Sequence, residues 1–539
     1  MTTPNAAPWA WLPIPAPHQQ AFAASDAWDR RTLADQAIER AQADPTFIAL
    51  TDGQGTLTRA ELVADAQALA AALHARGLRP GDVLAFQVPN WREAAVINLA
   101  AVFAGLVVNP IVPIYRDHEV AQMLGDCRAK AVFVPSAFRK FDYAAMAARI
   151  QPNLPDLAHV FTVRGNGPND YTALIAEGRD TPFNRPQVDP LGVKLVLYTS
   201  GTTGRPKGVL HSHVTLQRIV RTSSEHRGMA EGEGTLMPSP VTHISGYCNG
   251  LEAPLICGSA SVLMETWDAQ AALGLIVRHA LVGTVAATPF LVELAEAARA
   301  AGETLPTFRY FACGGAPVPA DLIPTARTAL TACQPFRVFG ASEVPLVTFG
   351  YPRDPHLAAT TDGEVVDYEV RIVDADDHPL PPGHEGEVLA RGPGMLMGYA
   401  DAAQTAAAIT PDGFFRTGDL GTLTAEGALT ITGRKKDLII RGGENISARE
   451  IEDVLDAHPL VRESAVVAMP HERLGEGVCA YVILAGEVDA VALTAHVAES
   501  GLARQKIPER FEIVDDFPRT ASGKVRKDLL RADVKAKAG

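Results

Sequence analysis

A chain of 539 residues is too long for a single hydrophobic core, and domains of about 150 residues predict several structural units. With 47% hydrophobic and 20% charged residues, the composition excludes a disordered or fibrous protein and predicts large buried sheets and helices. The net charge of −14 argues against a nucleic-acid partner, but it allows anionic small molecules wherever positive charge is concentrated locally.

The sequence shows no pattern typical of a membrane span, a signal peptide or a cysteine-based metal site. The apolar stretch Ala94–Val108 is shorter than a membrane span and contains Asn98, so it predicts a buried helix. No Lys or Arg precedes Arg30, so the start of the chain lacks the basic region of a signal peptide. The six cysteines are scattered without metal-ligand spacing, which predicts reduced thiols. We expect a cytoplasmic protein without a membrane span.

The first half of the chain alternates helix and strand patterns. Thr58 and Glu61 have the spacing of a capping box and predict a helix that ends at Gly77. A strand pattern, Val83–Val88, follows at once. The same helix-then-strand order recurs in Ala271–Ala286 and Leu291–Phe311. This alternation predicts an α/β sandwich.

The pattern changes twice towards the carboxyl terminus. From Asp362 onwards, short alternating strands with close turns predict a small antiparallel, β-barrel-like subdomain. After GRKKD at Gly433–Asp437, the order helix, strand, strand, helix, strand predicts a small α+β domain. We therefore predict an α/β fold in which residues 1–435 form a large domain of stacked α/β subdomains plus the barrel-like one. Residues 436–539 are predicted to form a mobile small domain.

A loop suited to phosphate follows one buried strand. Val193–Tyr198 leads directly into TSGTTGRPKG at Thr199–Gly208, which holds three glycines and four hydroxyl residues. Backbone N–H groups and hydroxyls in such a loop can wrap a phosphate chain, and Lys207 adds a positive charge. Because Gly208 follows Lys207 where a Walker loop has Ser or Thr, and no GxGxxG pattern occurs here, ordinary P-loop and dinucleotide classes are disfavoured.

Together with Tyr198, this string resembles the signature of the adenylate-forming superfamily of acyl-CoA synthetases, peptide-synthetase adenylation domains and firefly luciferase. A glycine-rich surface loop is the alternative for the string alone. Four further blocks of that family occur in order: FGASE at Phe339–Glu343, GFFRTGDLG at Gly413–Gly421, GRKKDLIIRGGENISAREIE at Gly433–Glu452 and PRTASGKVRKDLLR at Pro518–Arg531. The ordered set favours the family, in its acyl-CoA ligase branch.

The resemblance implies an ATP- and AMP-binding set. Its members are Thr199, Ser200, Gly201, Thr202, Thr203, Gly204, Lys207, Gly315, Ala316, Phe339, Gly340, Ala341, Ser342, Asp419 and Arg434. It further implies Mg²⁺ coordination by Glu343 and Thr202, whose oxygens suit a hard cation. Ser342 stands where the family commonly has Thr, and the hydroxyl is retained. For Asp419 and Arg434, a surface ion pair that joins two domains is the alternative interpretation.

Three further functions rest on the last two blocks. By resemblance Lys524 is the adenylation lysine, which holds the substrate carboxylate against the α-phosphate. Lys436 matches the hinge of the small domain, a position that carries Asp in many relatives. Gly442 and Gly443 match a loop beside the CoA channel, where glycine permits close backbone approach. A lysine on a solvated surface is the alternative for Lys524 and Lys436.

The acyl pocket is less defined. His243, Tyr247 and Gly314 are its predicted residues, in SPVTHISGY and GGAPVP. His243 stands where amino-acid-activating domains carry the Asp that pairs with the substrate ammonium, so an amino acid is disfavoured. A backbone-bonded core histidine is the alternative. We interpret His211, His213 and Trp267 as structural.

Positive charge is concentrated in the last two blocks of this acidic chain. The cations are Arg434, Lys435, Lys436, Arg441, Arg519, Lys524, Arg526 and Lys527. Such a patch attracts ATP and CoA, which are both polyanions, because screening limits the reach of distant charge to about 10 Å.

The sequence thus predicts an ATP-dependent acid:CoA ligase that requires Mg²⁺ and uses ATP, CoA and a medium-chain, alicyclic or aromatic acid. One alternative is an acyl-AMP ligase that loads a carrier protein. Others are a catalytically silent nucleotide-binding protein, and a kinase, which would release ADP in place of AMP. The oligomeric state stays open, with a homodimer as one option.

Overall fold

The computed structural model describes residues 8–199, 206–314, 318, 321–350, 354–442, 444–520 and 523–538. Strands and helices are numbered along the chain. Two large sheets form the body of the protein and a small sheet forms a carboxyl-terminal domain. The predicted α/β class is confirmed.

The first large sheet has seven strands. In order they are β18 (Gly398–Tyr399), β8 (Lys207–Ser212), β7 (Val193–Thr199), β4 (Val107–Pro110), β3 (Val83–Phe86), β5 (Ala129–Pro135) and β6 (His159–Val163). The pairs from β7 to β6 are parallel, whereas β8 runs antiparallel to β7. The phosphate loop therefore connects two neighbouring antiparallel strands.

The second large sheet has thirteen strands. In order they are β16 (Glu369–Val373), β17 (Gly386–Arg391), β19 (Phe415–Leu423), β20 (Ala428–Arg434), β15 (Gly363–Val365), β14 (Thr348–Phe349), β13 (Gln334–Phe339), β12 (Tyr310–Gly314), β11 (Gly283–Ala286), β9 (Gly234–Met237), β10 (Ala260–Leu263), β1 (Ile48–Asp52) and β2 (Gly55–Thr58). From β13 to β1 the pairs are parallel. The antiparallel strands predicted after Asp362 continue this sheet through β14 and β15.

Helices cover the two large sheets. They are α1 (Gln20–Ala23), α2 (Leu33–Ala43), α3 (Arg59–Ala75), α4 (Arg92–Phe103), α5 (Asp117–Asp126), α6 (Tyr143–Ile150), α7 (Tyr171–Arg179), α8 (His213–His226), α9 (Ile244–Gly246), α10 (Ala253–Ile256), α11 (Ala269–His279), α12 (Thr288–Ala301), α13 (Leu322–Ala329), α14 (Pro355–Thr360) and α15 (Ala402–Ala408). A π-helix, Tyr247–Glu252, joins α9 to α10. The capping box of Thr58 and Glu61 is present at the start of α3.

The helix α4 is apolar on all sides because it lies inside the main core, with every residue from Glu93 to Phe103 buried. This accounts for the continuous apolar pattern of its sequence. Among the described residues, no helix combines the length and the hydropathy that a membrane crossing requires.

The carboxyl-terminal domain has five strands, β21 (Ile439–Arg441), β22 (Glu444–Ile446), β23 (Val461–His471), β24 (Gly475–Leu484) and β25 (Arg510–Ile513). Its helices are α16 (Ala448–Asp456), α17 (Ala490–Glu499) and α18 (Lys527–Ala538). The predicted order of helix, strand, strand, helix and strand is present from α16 to β25. The hairpin of β21 and β22, which precedes it, was not predicted.

The small domain packs against the end of the second large sheet. The Ser447 hydroxyl donates to the carbonyl of Thr432 in β20 at 3.2 Å, and Arg531 pairs with Asp437 in the turn that follows β20. The predicted boundary after residue 435 lies in the 3-10 turn Lys435–Asp437, and it stays a prediction.

Gly178 provides a test of how helix α7 packs against helix α3 in the large domain. A Cβ atom at Gly178 of α7 would lie 1.7 Å from the backbone oxygen of Ala68 in α3, so no side chain fits without moving a helix. We expect Gly178→Ala to destabilise the large domain by about 3 kcal/mol through overpacking. The measurement is the thermal unfolding midpoint. Gly274→Ala is the matched control, because Gly274 lies in α11 with open space around it. This control should raise stability by up to about 1 kcal/mol, and a drop of equal size in both variants would contradict the packing argument.

Candidate active site

A cavity of about 1380 Å³ opens where the carboxyl ends of the parallel strands meet the small domain. The strands β7, β12 and β13 end at this cavity with Thr199, Gly314 and the turn after Phe339. Ligands of open α/β sheets bind at such strand ends. Residues from all five predicted sequence blocks, the last of which belongs to the small domain, therefore face one volume.

The base of the phosphate loop lies on this cavity. Thr199 and Lys207 are direct cross-strand partners at the ends of β7 and β8, and both line the cavity. The Lys207 ammonium lies 5.1 Å from the centre of the Tyr399 ring. The predicted loop residues Ser200, Gly201, Thr202, Thr203 and Gly204 lie outside the described residues, as do Gly315, Ala316 and Gly443.

The FGASE block forms a tight turn beside β8. The backbone around Gly340 leaves no room for a side chain, because a Cβ there would lie 2.4 Å from the oxygen of Pro345. His211 of β8 holds this turn through Nε2, which lies 2.7 Å from the carbonyl oxygen of Ser342. Burial lowers the pKa of His211 to about 4, so the ring is neutral and its Nε2 donates. Its interpretation as structural is consistent with this contact.

Glu343 presents its carboxylate to the cavity. The Tyr399 hydroxyl donates to Glu343 Oε1 at 2.8 Å, which orients the group, and no described residue donates a hydrogen bond to its other oxygen. One carboxylate beside phosphate oxygens is a donor set that Mg²⁺ accepts in nucleotide sites, so Glu343 fits the ion. Sequence reasoning missed Tyr399, because nothing in a two-residue strand marks it as functional.

Asp419 and Arg434 are fixed by strand register. They are direct partners in β19 and β20, and Arg434 Nε donates to Asp419 Oδ1 at 2.9 Å. Burial raises the pKa of Asp419, while the charges of Arg434 and Lys524 oppose that shift. The Arg434 side chain is 44% exposed and opens onto the cavity. An acceptor and a planar donor thus lie together, as recognition of vicinal hydroxyls requires.

Lys524 reaches the same cavity from the small domain. It follows a turn in which Thr520 Oγ1 accepts from the Lys524 amide at 3.1 Å and Gly523 has a φ of +83°. Burial lowers the pKa of Lys524 to about 8, and the charge of Arg434 adds to this effect. The carboxylates of Asp419 and Glu343 oppose the shift.

Of the remaining predicted residues, some line the cavity and others do not. Lys436, Ala341 and His243 line the cavity. Burial lowers the pKa of His243 to about 4, with a contribution from Lys524, and its Nδ1 lies 3.2 Å from the Ser245 hydroxyl.

Tyr247, Phe339 and Gly442 are not among the cavity-lining residues that the structure describes. The Tyr247 ring is fully buried and its hydroxyl donates to Asn98 at 2.6 Å, and its role in the substrate pocket stays a prediction. The Phe339 side chain packs in the apolar clusters behind the FGASE turn, although its neighbours face the cavity. The Gly442 amide donates to Leu474 on the small domain.

The predicted positive patch is only partly brought together. Of its members, Arg434, Lys435, Lys436, Arg519 and Lys524 line the cavity. The others pair locally: Arg441 with Glu509, Arg526 with Asp528 and Lys527 with Glu452. A run of basic residues in the sequence does not determine which of their side chains face the same cavity.

The chain is similar to known enzymes along most of its length. Family models for the AMP-binding enzyme and for its C-terminal domain match residues 38–400 and 450–524. The chain is 35% identical to a medium-chain fatty-acid–CoA ligase of Escherichia coli over 94% of this chain and 91% of the relative. It is 32% identical to the salicyl-AMP ligase / salicyl-S-ArCP synthetase of Mycobacterium tuberculosis, over 98% and 95%.

A solved structure agrees as well. The O-succinylbenzoate coenzyme A synthetase of Bacillus subtilis, in complex with ATP and magnesium ion, superposes with a TM-score of 0.81 at 28% identity. The match covers 94% of this chain and all of that one. The cavity lined by Thr199, Glu343, Asp419 and Lys524, together with these matches, shows that the chain belongs to the AMP-binding, adenylate-forming enzyme family.

Proposed function

We propose that the protein is an AMP-forming acid–thiol ligase that joins a carboxylic acid to CoA through an acyl-adenylate. The observation that carries the proposal is the half-buried Lys524, which faces the cavity together with Asp419, Arg434 and Glu343. A cation that shares a cavity with Thr199, Lys207 and an acceptor–donor pair for a ribose suits attack of one anion on another. Medium-chain, alicyclic and aromatic acids are the candidate substrates.

In the first step, a carboxylate oxygen bonds to the α-phosphorus of ATP while the bond to the bridging oxygen breaks and pyrophosphate leaves. Lys524 holds the two anions together, and Lys207, Thr199 and Ser342 lie around the phosphates. Glu343 would hold Mg²⁺, which neutralises charge on the phosphate oxygens. Asp419 and Arg434 position the ribose.

In the second step, the CoA sulfur bonds to the acyl carbon, AMP leaves, and the thiol proton passes to solvent. We propose that the small domain rotates about Lys436, which withdraws Lys524 and brings Gly442 and Gly443 to the cavity. Gly442 lies away from the cavity in the present arrangement, as this proposal requires. Domain alternation lets one site serve two transition states.

The reaction is tested by its products. With ATP, Mg²⁺ and a panel of acids, we expect release of AMP and pyrophosphate and formation of an acyl-CoA. The readouts are pyrophosphate, AMP and thioester. Pyrophosphate exchange without any CoA thioester would favour a carrier-protein acceptor, and ADP as the nucleotide product would contradict the proposal.

Lys524→Met separates the two steps. Removing the cation should lower acid-dependent ATP–pyrophosphate exchange at least about 1,000-fold, a loss typical of a transition-state charge contact. Thioester formation from a supplied acyl-adenylate should persist within a few-fold. Lys535→Ala is the control, since this lysine is exposed on α18. Equal loss of both steps in Lys524→Met would count against domain alternation.

The pH profile of adenylation follows from Lys524. The amine carries its charge below a pKa of about 8, so kcat/KM for the first step should be full below that pH and fall above it. Lys524→Arg should retain its charge and lose this alkaline limb, whatever its residual rate. Lys436→Arg should keep the limb. An unchanged limb in Lys524→Arg would assign the titration to another group.

A further inference from the structure

The cavity extends beyond His243 into a mainly apolar region. Its apolar lining comes from Ile219, Val285, Phe290, Val338, Leu346 and Phe349. Such walls suit a ring or a hydrocarbon chain. Polar side chains also line this region, on α8 and on the π-helix Tyr247–Glu252. The adenylation and thioester steps proposed above do not use them.

Two of these polar groups are Ser223 and Asn249. Ser223 is 8% exposed, lines the cavity and makes no side-chain hydrogen bond within the described part of the chain. Asn249 lies in the π-helix and lines the cavity. It contacts Arg227 and Ser245, whereas Lys524 is influenced by Arg434, Asp419 and Glu343, so a substrate group near Asn249 contacts other residues than a carboxylate that reacts beside Lys524.

A buried cation lies directly behind them. Arg227 is 8% exposed, and no carboxylate of the described chain lies within ion-pair distance of it. Its guanidinium donates to neutral groups: the Ser223 carbonyl at 2.8 Å, Asn249 Oδ1 at 2.8 Å and the Tyr310 hydroxyl at 3.3 Å. A buried charge that has only neutral partners favours negative charge nearby.

The orientation of the Asn249 amide is determined by its partners. Arg227 only donates, so it must face Oδ1, and the Ser245 carbonyl only accepts, so it faces Nδ2 at 2.9 Å. One N–H of Nδ2 is left over, and polarisation by Arg227 strengthens it as a donor. The Ser223 hydroxyl adds a second donor. The region therefore offers donors in front of a buried positive charge.

The segment that carries Asn249 is held firmly. Lys194 of β7 forms an ion pair with Glu252, and both side chains are buried. Asn98 of α4 donates to the same carboxylate at 2.8 Å and accepts from Tyr247. A π-helix with buried polar anchors on either side fixes the direction of the residues between them. This network accounts for the buried position of Tyr247.

From this arrangement we infer that the acid carries an acceptor oxygen, a ketone or a second carboxylate, remote from the reacting carboxylate and bound by Asn249 and Ser223. This inference rests on the proposed ligase function and narrows its substrate class. The body of the acid is apolar and lies between the walls described above. Arg227 positions Asn249 and supplies the positive potential.

The test compares matched acids in ATP–pyrophosphate exchange. They are cyclohexanecarboxylate and the same ring with a hydroxyl, a ketone or a second carboxylate at the carbon opposite the first. We expect kcat/KM for the ketone or the diacid to exceed that for the unsubstituted ring by roughly 10- to 100-fold. The ratio between ketone and diacid then separates a neutral acceptor from a charged one.

Substitutions at Asn249 and Ser223 test whether these residues cause the preference for the ketone and the diacid. Asn249→Leu keeps the size of the side chain but removes the donor, so the preference should fall to within about threefold, with the unsubstituted ring still activated. Ser223→Ala should lower the preference in the same direction and serves if the first variant fails to fold. Cys248→Ala is the control, because Cys248 lines the same cavity without a hydrogen bond to Arg227. It should leave the preference unchanged.

Failures of the two proposals are distinguishable. If wild-type protein shows exchange with the unsubstituted ring at an equal or higher kcat/KM than with the ketone and the diacid, the acceptor inference is overturned and the ligase function stands. An equal loss of exchange with all acids in Asn249→Leu also overturns it. If no acid of any class supports exchange, the ligase proposal itself fails.

Discussion

The site depends on keeping one lysine cation out of bulk water. Lys524 belongs to the small domain, yet its ammonium is buried among residues of the large one, and burial works against its charge. Asp419 and Glu343 offset part of this cost, and a polyanion in the cavity offsets more. The packing of the two domains and the charge of the ligand are thus coupled. A negatively charged ligand in the cavity favours the domain arrangement described here, and release of that ligand weakens this arrangement.

Much of the fold could be predicted because its elements are locally encoded. The capping box of α3, the strand before the phosphate loop and the order of elements in the small domain all appear in the sequence with the correct type. Sheet continuity could not be predicted, since β14 and β15 are two and three residues long and carry no periodicity. These short strands join the antiparallel region to the parallel one.

In the candidate active site, too, some features could be predicted from the sequence and others could not. Residues inside recognisable blocks, such as Asp419 and Lys524, line the cavity, and their roles there stay predictions. Direction within a helix was not predictable: Tyr247 and Asn249 are two residues apart, yet only Asn249 faces the cavity. A π-helix changes which residues share a face, and sequence spacing assumes an α-helix. Tyr399 and Arg227 were missed because their roles come only from tertiary contacts.

The electrostatic design of the cavity follows from these contacts. Cations lie at both ends, with Lys524 and Arg434 at the phosphate end and Arg227 behind the acyl end. His243 stands between them, and burial together with the charge of Lys524 lowers its pKa to about 4. At neutral pH its ring therefore adds no charge to the cavity. A substrate that is polar at two ends and apolar between them matches this distribution. An amino acid, whose ammonium would lie beside Lys524, does not match it.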